Sequence, residues 1–433
     1  VNILLRPDKK KVIVVGAGFS GMSLAYWFLK NDYEVDLYEA SEKSGGLLET
    51  KIMAGGHLAE SAANGFLFQP EFEALEKDLG LRFVATRAAY RKRFFYRGGF
   101  KKWPLSILES LVAITKLSLN VFAWVPKHSE SIRQWGTRLM GKAASKYLIE
   151  TGLQGIYAGR AQDMSASLVM GPYLDPKKRK EKQKHSRLQF ESEARWGTFS
   201  HAEGMGALMR DWSQYLEKHK DCRVQYRKKC SFEDFKSDLN GGAQLFVCVP
   251  PHAAAKFFED SHPKLSESLG KVEMLPVLSA TLVFPKIKGE EGIPQGFGIL
   301  FARDEGFEVL GVLRNHCIFE GRSDEVSETW IYSGQSLKER NVWKDERACE
   351  EMILKEREKL TGVRLDPLAQ SLKFWDEALP HYTLALRDVL ESNEVKTLTD
   401  AGVQLFGNYT GQIGLSRLFL AARNTVLNTM EEK

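Results

Sequence analysis

Cysteine is scarce in this 433-residue chain: there are five, with no close pair at zinc-ligand spacing. That excludes a disulfide framework and implies a reducing compartment. The nine histidines are scattered too, His57, His128, His185, His201, His252 and His381 among them, so no metal site is expected. No G-x-S-x-G elbow, no paired-carboxylate motif and no internal repeat occurs. Net charge is also small. The formal value is +5, and residues 177–187 alone hold seven basic residues and one acid. Without that run the chain is near −1, which leaves no basic field for nucleic acid. The run itself reads as a solvated loop, with attraction to anionic lipid as the second reading. The apolar stretch 103–126 is interrupted by Glu109 and Lys116 and bracketed by Pro104 and Pro126, which argues against a membrane span. The first β-branched run starts by residue 12, so no cleavable leader is expected. What is plentiful is apolar material: 43% hydrophobic residues suffice for a large core, in more than one domain.

Against these absences stands one dense motif, Lys11-Val-Ile-Val-Val-Gly-Ala-Gly-Phe-Ser-Gly21. Val12 to Val15 suit a buried parallel strand. Gly16, Gly18 and Gly21 follow at G-x-G-x-x-G spacing, and a helical pattern runs on through Met22, Leu24, Ala25, Phe28 and Leu29. The first glycine permits the tight turn, the second lets backbone approach a pyrophosphate, and the third lets helix and strand pack closely. Phe19 and Ser20 open the helix, whose free N–H groups and dipole favour an anion. Residues 34–39 alternate as a second strand ending in Glu39, placed to hold a ribose hydroxyl rather than a 2′-phosphate. Strand, turn, helix, strand and acid together predict a dinucleotide site. Ala40 and a second glycine pair, Gly45 and Gly46, follow before Leu47.

At the far end, residues 402–416 run an apolar strand into a glycine-rich turn and then a helix over 415–430. That presents another helix N-terminus to an anionic partner, so the two ends of the chain would meet around one cofactor. Between them, 129–149 and 207–218 read as helices, and 223–232 and 244–251 as strands. Residues 275–284 and 308–319 are β-rich, consistent with a sheet under a substrate pocket. The stretch 103–126 has two readings. It is either a monotopic helix lying in one leaflet with its tryptophans at the interface, or buried helices walling a greasy cavity.

With these residues in view, the chain resembles the protoporphyrinogen oxidases, oxygen-dependent flavoenzymes within the amine oxidase superfamily. The second glycine pair after the ribose acid is a mark of that superfamily, although the arginine that usually follows is Leu47 here. Gly155-Ile-Tyr-Ala-Gly159 with Met164-Ser165, Arg93-Phe-Phe-Tyr-Arg-Gly-Gly99 with Trp103-Pro104, and Ala378-Leu-Pro-His-Tyr-Thr-Leu384 resemble family segments in the family's order. Residues 310–313 with Phe319 resemble an inner strand of the substrate domain. Gly407, Asn408, Tyr409 and Gly411 resemble the final flavin motif, in which most amine oxidases carry Glu where Asn408 stands.

The resemblance implies non-covalent FAD and three two-electron oxidations that turn a porphyrinogen into a porphyrin, with O2 as acceptor and hydrogen peroxide as co-product. It gives Arg93 a substrate propionate and brings the Gly155 backbone against the macrocycle. It gives the cofactor Gly16, Gly18, Phe19, Ser20, Gly21, Glu39, Ala40, Gly45, Gly46 and Leu47 from the first motif. Ala62, Ala63, Asn64 and Gly65 stand in the family's G-P-x-G flavin loop, Cys230 beside the adenine, and Gly407, Asn408, Gly411, Gln412, Ile413 and Gly414 at the last turn. No catalytic base is implied. The expected fold is α/β: a Rossmann-type FAD domain over 1–85, 196–268 and 396–433, and an α+β substrate domain over 86–100 and 269–395. A helical insert over 101–195 would line the substrate or touch a membrane. The expected place is the cytoplasm, with or without peripheral attachment to its membrane. Protoporphyrinogen and coproporphyrinogen are not separated, and neither is the oligomeric state. The rival readings are a flavin amine oxidase, a carotenoid desaturase-like enzyme, and a flavoprotein that binds porphyrin without oxidising it.

Overall fold

The computed structural model describes residues 10–120, 124–174, 195–286 and 292–431. The basic run 177–187 lies outside the described residues.

Alternation in the first strand decides the architecture. Val12 and Val14 of Lys11–Val15 join one apolar core, and Ile13 and Val15 join another. A strand buried on both faces needs helices on both sides. It sits at the centre of a five-stranded parallel sheet in the order Cys222–Gln225, Glu34–Tyr38, Lys11–Val15, Gln244–Val247, Val403–Leu405. The helices Phe19–Leu29, Met205–Lys218 and Leu415–Glu431 cover one face, packed through Trp27, Trp212 and Phe419. Pro251–Phe257, Pro263–Gly270 and Leu384–Leu390 contribute to the core on the other. Strand neighbours diverge on either side of Lys11–Val15, which opens a crevice at its C-terminal end.

The second sheet has seven strands, in the order Ala369–Pro380, Met274–Phe284, Val326–Ser333, Val309–Leu313, Gly298–Phe301, Arg93–Tyr96, Phe100–Lys101. Among the described residues only the pairing of Gly298–Phe301 with Arg93–Tyr96 is parallel in this sheet. One face carries Phe94, Ile299, Val312, Trp330 and Leu278 into a core closed by the helix Glu346–Thr361. The other face turns to the dinucleotide domain: Trp375 Nε1 donates to Ser61 O at 2.7 Å and Ser279 Oγ to Glu60 O at 3.3 Å.

Several local expectations need correction. The helix expected over 129–149 breaks at Gly141, whose φ of +90° ends Ile132–Met140 before a π-helical turn, Ser145–Glu150. The strand expected over 223–232 stops at Gln225, because Arg227 adopts a φ of +53° that no strand tolerates. The β-rich 308–319 is a strand only over Val309–Leu313 and then turns into the short helix Asn315–Ile318.

Within 103–126, the helix Ile107–Leu119 starts at a capping box between Ser106 and Glu109. It is not a buried wall of a cavity. Ala113 is its one buried residue, whereas Ile107, Leu108, Leu111, Val112, Ile114 and Leu119 are 52–81% exposed. Among the described residues no helix is long and apolar enough to cross a membrane, and no cluster of His, Cys, Asp or Glu could hold a metal ion.

Candidate dinucleotide and substrate site

The crevice is built from glycines whose side chains would have nowhere to go. Gly16 has a φ of +102°, and a Cβ there would lie 2.8 Å from Cys248 O. At Gly21 a Cβ would fall 1.8 Å from Gly16 O, so the helix can press onto the turn only with hydrogen at that position. Gly18 differs: an added Cβ would meet only Gly46 Cα, at 3.9 Å. It caps Phe19–Leu29, and no side chain covers the first N–H groups there. The second glycine pair closes over this turn, with Gly45 N donating to Ala17 O at 3.0 Å and Gly18 bridging Gly45. Phe19 is buried edge-on against Trp212, whereas Ser20 and Leu47 are partly exposed and Gly46 and Ala40 face outward.

Glu39 ends the second strand and its carboxylate holds the turn. One oxygen accepts from Ala17 N at 2.7 Å, the other from Ser41 N at 2.8 Å and Ser41 Oγ at 2.7 Å. A carboxylate has about four lone-pair sites, so it keeps capacity for a ribose hydroxyl. Cys230 is half-buried two residues beyond Lys228, whose N–H donates to Glu39 O. Burial pushes its thiol up to about 11, so it stays an uncharged lining.

The Ala62, Ala63, Asn64, Gly65 loop follows the strand Leu58–Glu60. Gly65 passes so close to Phe199 that a Cβ would sit 2.3 Å from its carbonyl oxygen. Asn64 Nδ2 is buried without a hydrogen-bond partner among the described residues. From the other end of the chain, Tyr382 donates its hydroxyl to Asn408 O, and Thr410 N closes a turn on Gly407 O. Among the described residues Gly411, with a φ of +93°, and Gly414 both face open space, with no atom within 4 Å of an added Cβ. Gln412 and Ile413 are half-buried between them. The turn feeds Leu415–Glu431, which packs beside the first helix. The chain termini therefore bring two helix N-termini to the same sheet edge. An orphan amide donor, uncapped N–H groups and the open space at Gly18, Gly411 and Gly414 fit an extended, anionic dinucleotide such as FAD.

Arg93 and Gly155 come together on the second sheet. Arg93 pairs in parallel register with Gly298, and Phe95 with Leu300, so all four share the face turned toward the dinucleotide domain. Gly155, in the helix Thr151–Tyr157, approaches that face so closely that a Cβ would be 2.9 Å from Leu300 Cδ2. The Arg93 guanidinium stacks on Phe297 at 4.6 Å, and no carboxylate pairs with it among the described residues. Solvent reaches the side chain, yet surrounding protein lowers its pKa by desolvation, as on the wall of a concavity. It remains a cation.

Sequence reasoning missed the clamp that holds the strand before the Ala62 to Gly65 loop. Buried Glu60 accepts from Arg322 Nη1 at 2.8 Å, from Met205 N at 3.1 Å and from Thr50 Oγ1 at 2.7 Å. Arg322 also donates to Ser200 Oγ and His201 O, joining the two sheets' domains. The signal was an acid directly before Ser61-Ala62-Ala63-Asn64; its partner is 262 residues away.

Residues 14–79 match the NAD(P)-binding Rossmann-like domain model. Over 94% of its length the chain is 23% identical to protoporphyrinogen oxidase 2, chloroplastic/mitochondrial, of Arabidopsis thaliana, covering 91% of that protein. It is 22% identical to coproporphyrinogen III oxidase of Bacillus subtilis (strain 168), over 94% of this chain and 95% of that one. The crystal structure of "Putative protoporphyrinogen oxidase from Exiguobacterium sp. 255-15" superposes with a TM-score of 0.73 at 18% identity, covering 98% of this chain and 99% of that one. A putrescine oxidase superposes with a TM-score of 0.67 at 14% identity, with 98% and 99% covered. The chain thus sets a Rossmann-like dinucleotide domain within an α/β fold that it shares with these oxidases.

Proposed function

We propose that the chain is an FAD-dependent oxidoreductase that oxidises a porphyrinogen, protoporphyrinogen IX or coproporphyrinogen III, to the porphyrin with O2 as acceptor. The observation that carries this reading is Arg93, a guanidinium that has no acid partner among the described residues, on the sheet face turned toward the dinucleotide domain. Low-identity relatives of both porphyrinogen specificities support it. FAD bound in the crevice would accept hydride and pass electron pairs to oxygen. The protein's part is to bind and orient. Gly16 to Gly21, Gly45 to Leu47 and Glu39 hold the adenosine diphosphate half. Ala62 to Gly65 and Gly407 to Gly414 border the ring. Arg93 takes a propionate through its planar fork, and Gly155 offers bare backbone to the macrocycle. In this reading the domains divide as the sequence suggests, with three chain segments around the cofactor and two around the substrate.

The direct test is purified protein in air with each freshly reduced porphyrinogen, followed by porphyrin fluorescence against an enzyme-free control. Enzyme-dependent fluorescence is expected, and the faster substrate names the specificity. A yellow protein that accelerates neither would move the assignment to the amine oxidase or desaturase branch, or to a porphyrin carrier. Arg93→Gln should lower kcat/KM roughly thirty-fold, about 2 kcal/mol, because a solvent-reachable propionate pair lies at the weak end of the usual cost of removing one partner. An unchanged kcat/KM for a carboxylate-bearing porphyrinogen would remove Arg93 from the site.

The exposed helix Ile107–Leu119 supports a peripheral membrane location for this enzyme. Its apolar residues lie between exposed Trp103 and Trp124, with Lys101, Lys102 and Lys127 exposed nearby to meet anionic headgroups. Sedimentation with anionic liposomes should carry the protein down, and Leu108→Glu with Leu111→Glu should leave it in the supernatant. Equal recovery of both proteins in the supernatant would reject membrane attachment.

A further inference from the structure

A small cavity of about 150 Å³ lies beyond the end of the strand Gly298–Phe301, lined by Gln154, Ala302, Arg303, Phe307, Leu310 and Ser336 among others. Typical pockets for whole small molecules are roughly 300–1,000 Å³. This one therefore suits a single small group. Its walls are charged, and the charges are matched except at one position. Glu308 pairs with Arg340, Asp304 with Lys146 at 3.5 Å, and nearby Arg160 with Glu339 at 2.7 Å. Among the described residues Arg303 has neither an ion pair nor a hydrogen bond, and the Ser336 hydroxyl has no partner either. Burial disfavours the Arg303 charge, Arg160 disfavours it further, and Asp304 and Glu308 offset only part of this. Arg303 is part-exposed, so water reaches it now, and an anion in the cavity would pair with a guanidinium that burial disfavours.

The cavity also adjoins the candidate substrate site. Gln154 lines it and donates its amide to Phe301 O, while the next residue, Gly155, touches Leu300. Arg93 stands beside Gly298 at the other end of the same strand, roughly 10 Å away along the backbone.

We propose that Arg303, with Ser336 and Gln154, forms a second carboxylate-binding site, separate from Arg93, sized for one small anion or one acidic arm of a larger substrate. The carboxylate has two sources, an additional propionate of the macrocycle or a free ion. The first rests on the porphyrinogen reading; the site itself does not.

Binding of propionate, labelled with carbon-13 at its carboxyl and followed by nuclear magnetic resonance, tests the site in FAD-loaded R93Q, where Arg93 cannot contribute. Saturable binding is expected in R93Q, weakened roughly tenfold or more in R93Q/R303Q and partly restored in R93Q/R303K. Equal binding in R93Q and R93Q/R303Q, or none in R93Q, overturns the proposal. With Arg93 intact, the source follows from kinetics. A rise in KM of R303Q for coproporphyrinogen well beyond that for protoporphyrinogen, which bears fewer propionates, assigns the site to the substrate. Equal KM changes with loss of propionate binding assign it to a free ion. A wild-type protein that oxidises neither porphyrinogen defeats the functional reading, and the propionate titration still decides the site.

Discussion

Gly21→Ala is expected to yield a protein that retains little or no flavin and unfolds more easily than the wild type. The new methyl carbon would sit 1.8 Å from Gly16 O, well inside any tolerable separation. Gly16 cannot retreat, because its own Cβ position is already 2.8 Å from Cys248 O and its N–H is bonded to Tyr38 O at 2.7 Å. The helix Phe19–Leu29 must move instead. It is held on its far side by Phe28 against Phe246 and Trp27 against Phe419, both at 5.1 Å. Forcing atoms into such packing costs about 1–3 kcal/mol or more, and the shift tilts the N–H groups away from any pyrophosphate. Gly18→Ala separates the two effects. Among the described residues its methyl group meets only Gly46 Cα at 3.9 Å, so stability should hold while flavin content falls if, as proposed, that space takes the cofactor. Flavin absorbance per chain and thermal unfolding of both variants check this. A Gly18→Ala protein with full flavin content would place the pyrophosphate elsewhere.

These glycines were legible in the sequence because their constraint is local: turn, approach and helix contact all fall within six residues. The two-sided burial of Val12 to Val15 was legible for the same reason, since strand period and composition act over neighbours. The 223–232 segment misled because its alternation continues past Gln225, and only the tertiary bend at Arg227 ends the strand. The helix Asn315–Ile318 was hidden in a β-rich stretch because buried Arg314 and Asn315 turn inward toward partners on Val326–Ser333. Arg93 and Gly155 were named from resemblance. That they share one sheet face depends on the register of Arg93 with Gly298 and on the contact between Gly155 and Leu300, neither of which has a local signature. Arg303 had no sequence signal at all. Its importance arises from what is missing around it once the strands have packed.

The second large effect is on stability and concerns a charge cluster in the substrate domain. Glu328→Gln should destabilise the protein by about 3–5 kcal/mol, the usual cost of removing one partner from a buried ion pair. Glu328 is fully buried on Val326–Ser333 and accepts from Arg314 Nη1 at 2.7 Å, Arg357 Nε at 3.2 Å and Trp330 Nε1 at 3.1 Å. Arg314 and Arg357 are themselves buried, and the Arg357 guanidinium lies 3.8 Å over the Phe284 ring. The amide of Gln preserves shape but takes the shared carboxylate away from two buried guanidinium groups. His316 reports the sign of that environment. Burial and the Arg314 cation lower its imidazole to about 4, so it adds no further positive charge at neutral pH. The cost is therefore electrostatic rather than steric, which a second variant isolates. Replacing all three charged residues with apolar ones of similar volume, R314M/E328L/R357M, should recover most of the loss, because neither guanidinium is then left facing the lost carboxylate. Urea unfolding followed by tryptophan fluorescence measures both, with Trp330 as a local reporter. A triple variant as unstable as Glu328→Gln would mean that the cluster acts through its shape and hydrogen bonds. Recovery would mean that the ion cluster adds little net stability, and that its role is to fix the register of Glu346–Thr361 against the sheet that presents Arg93.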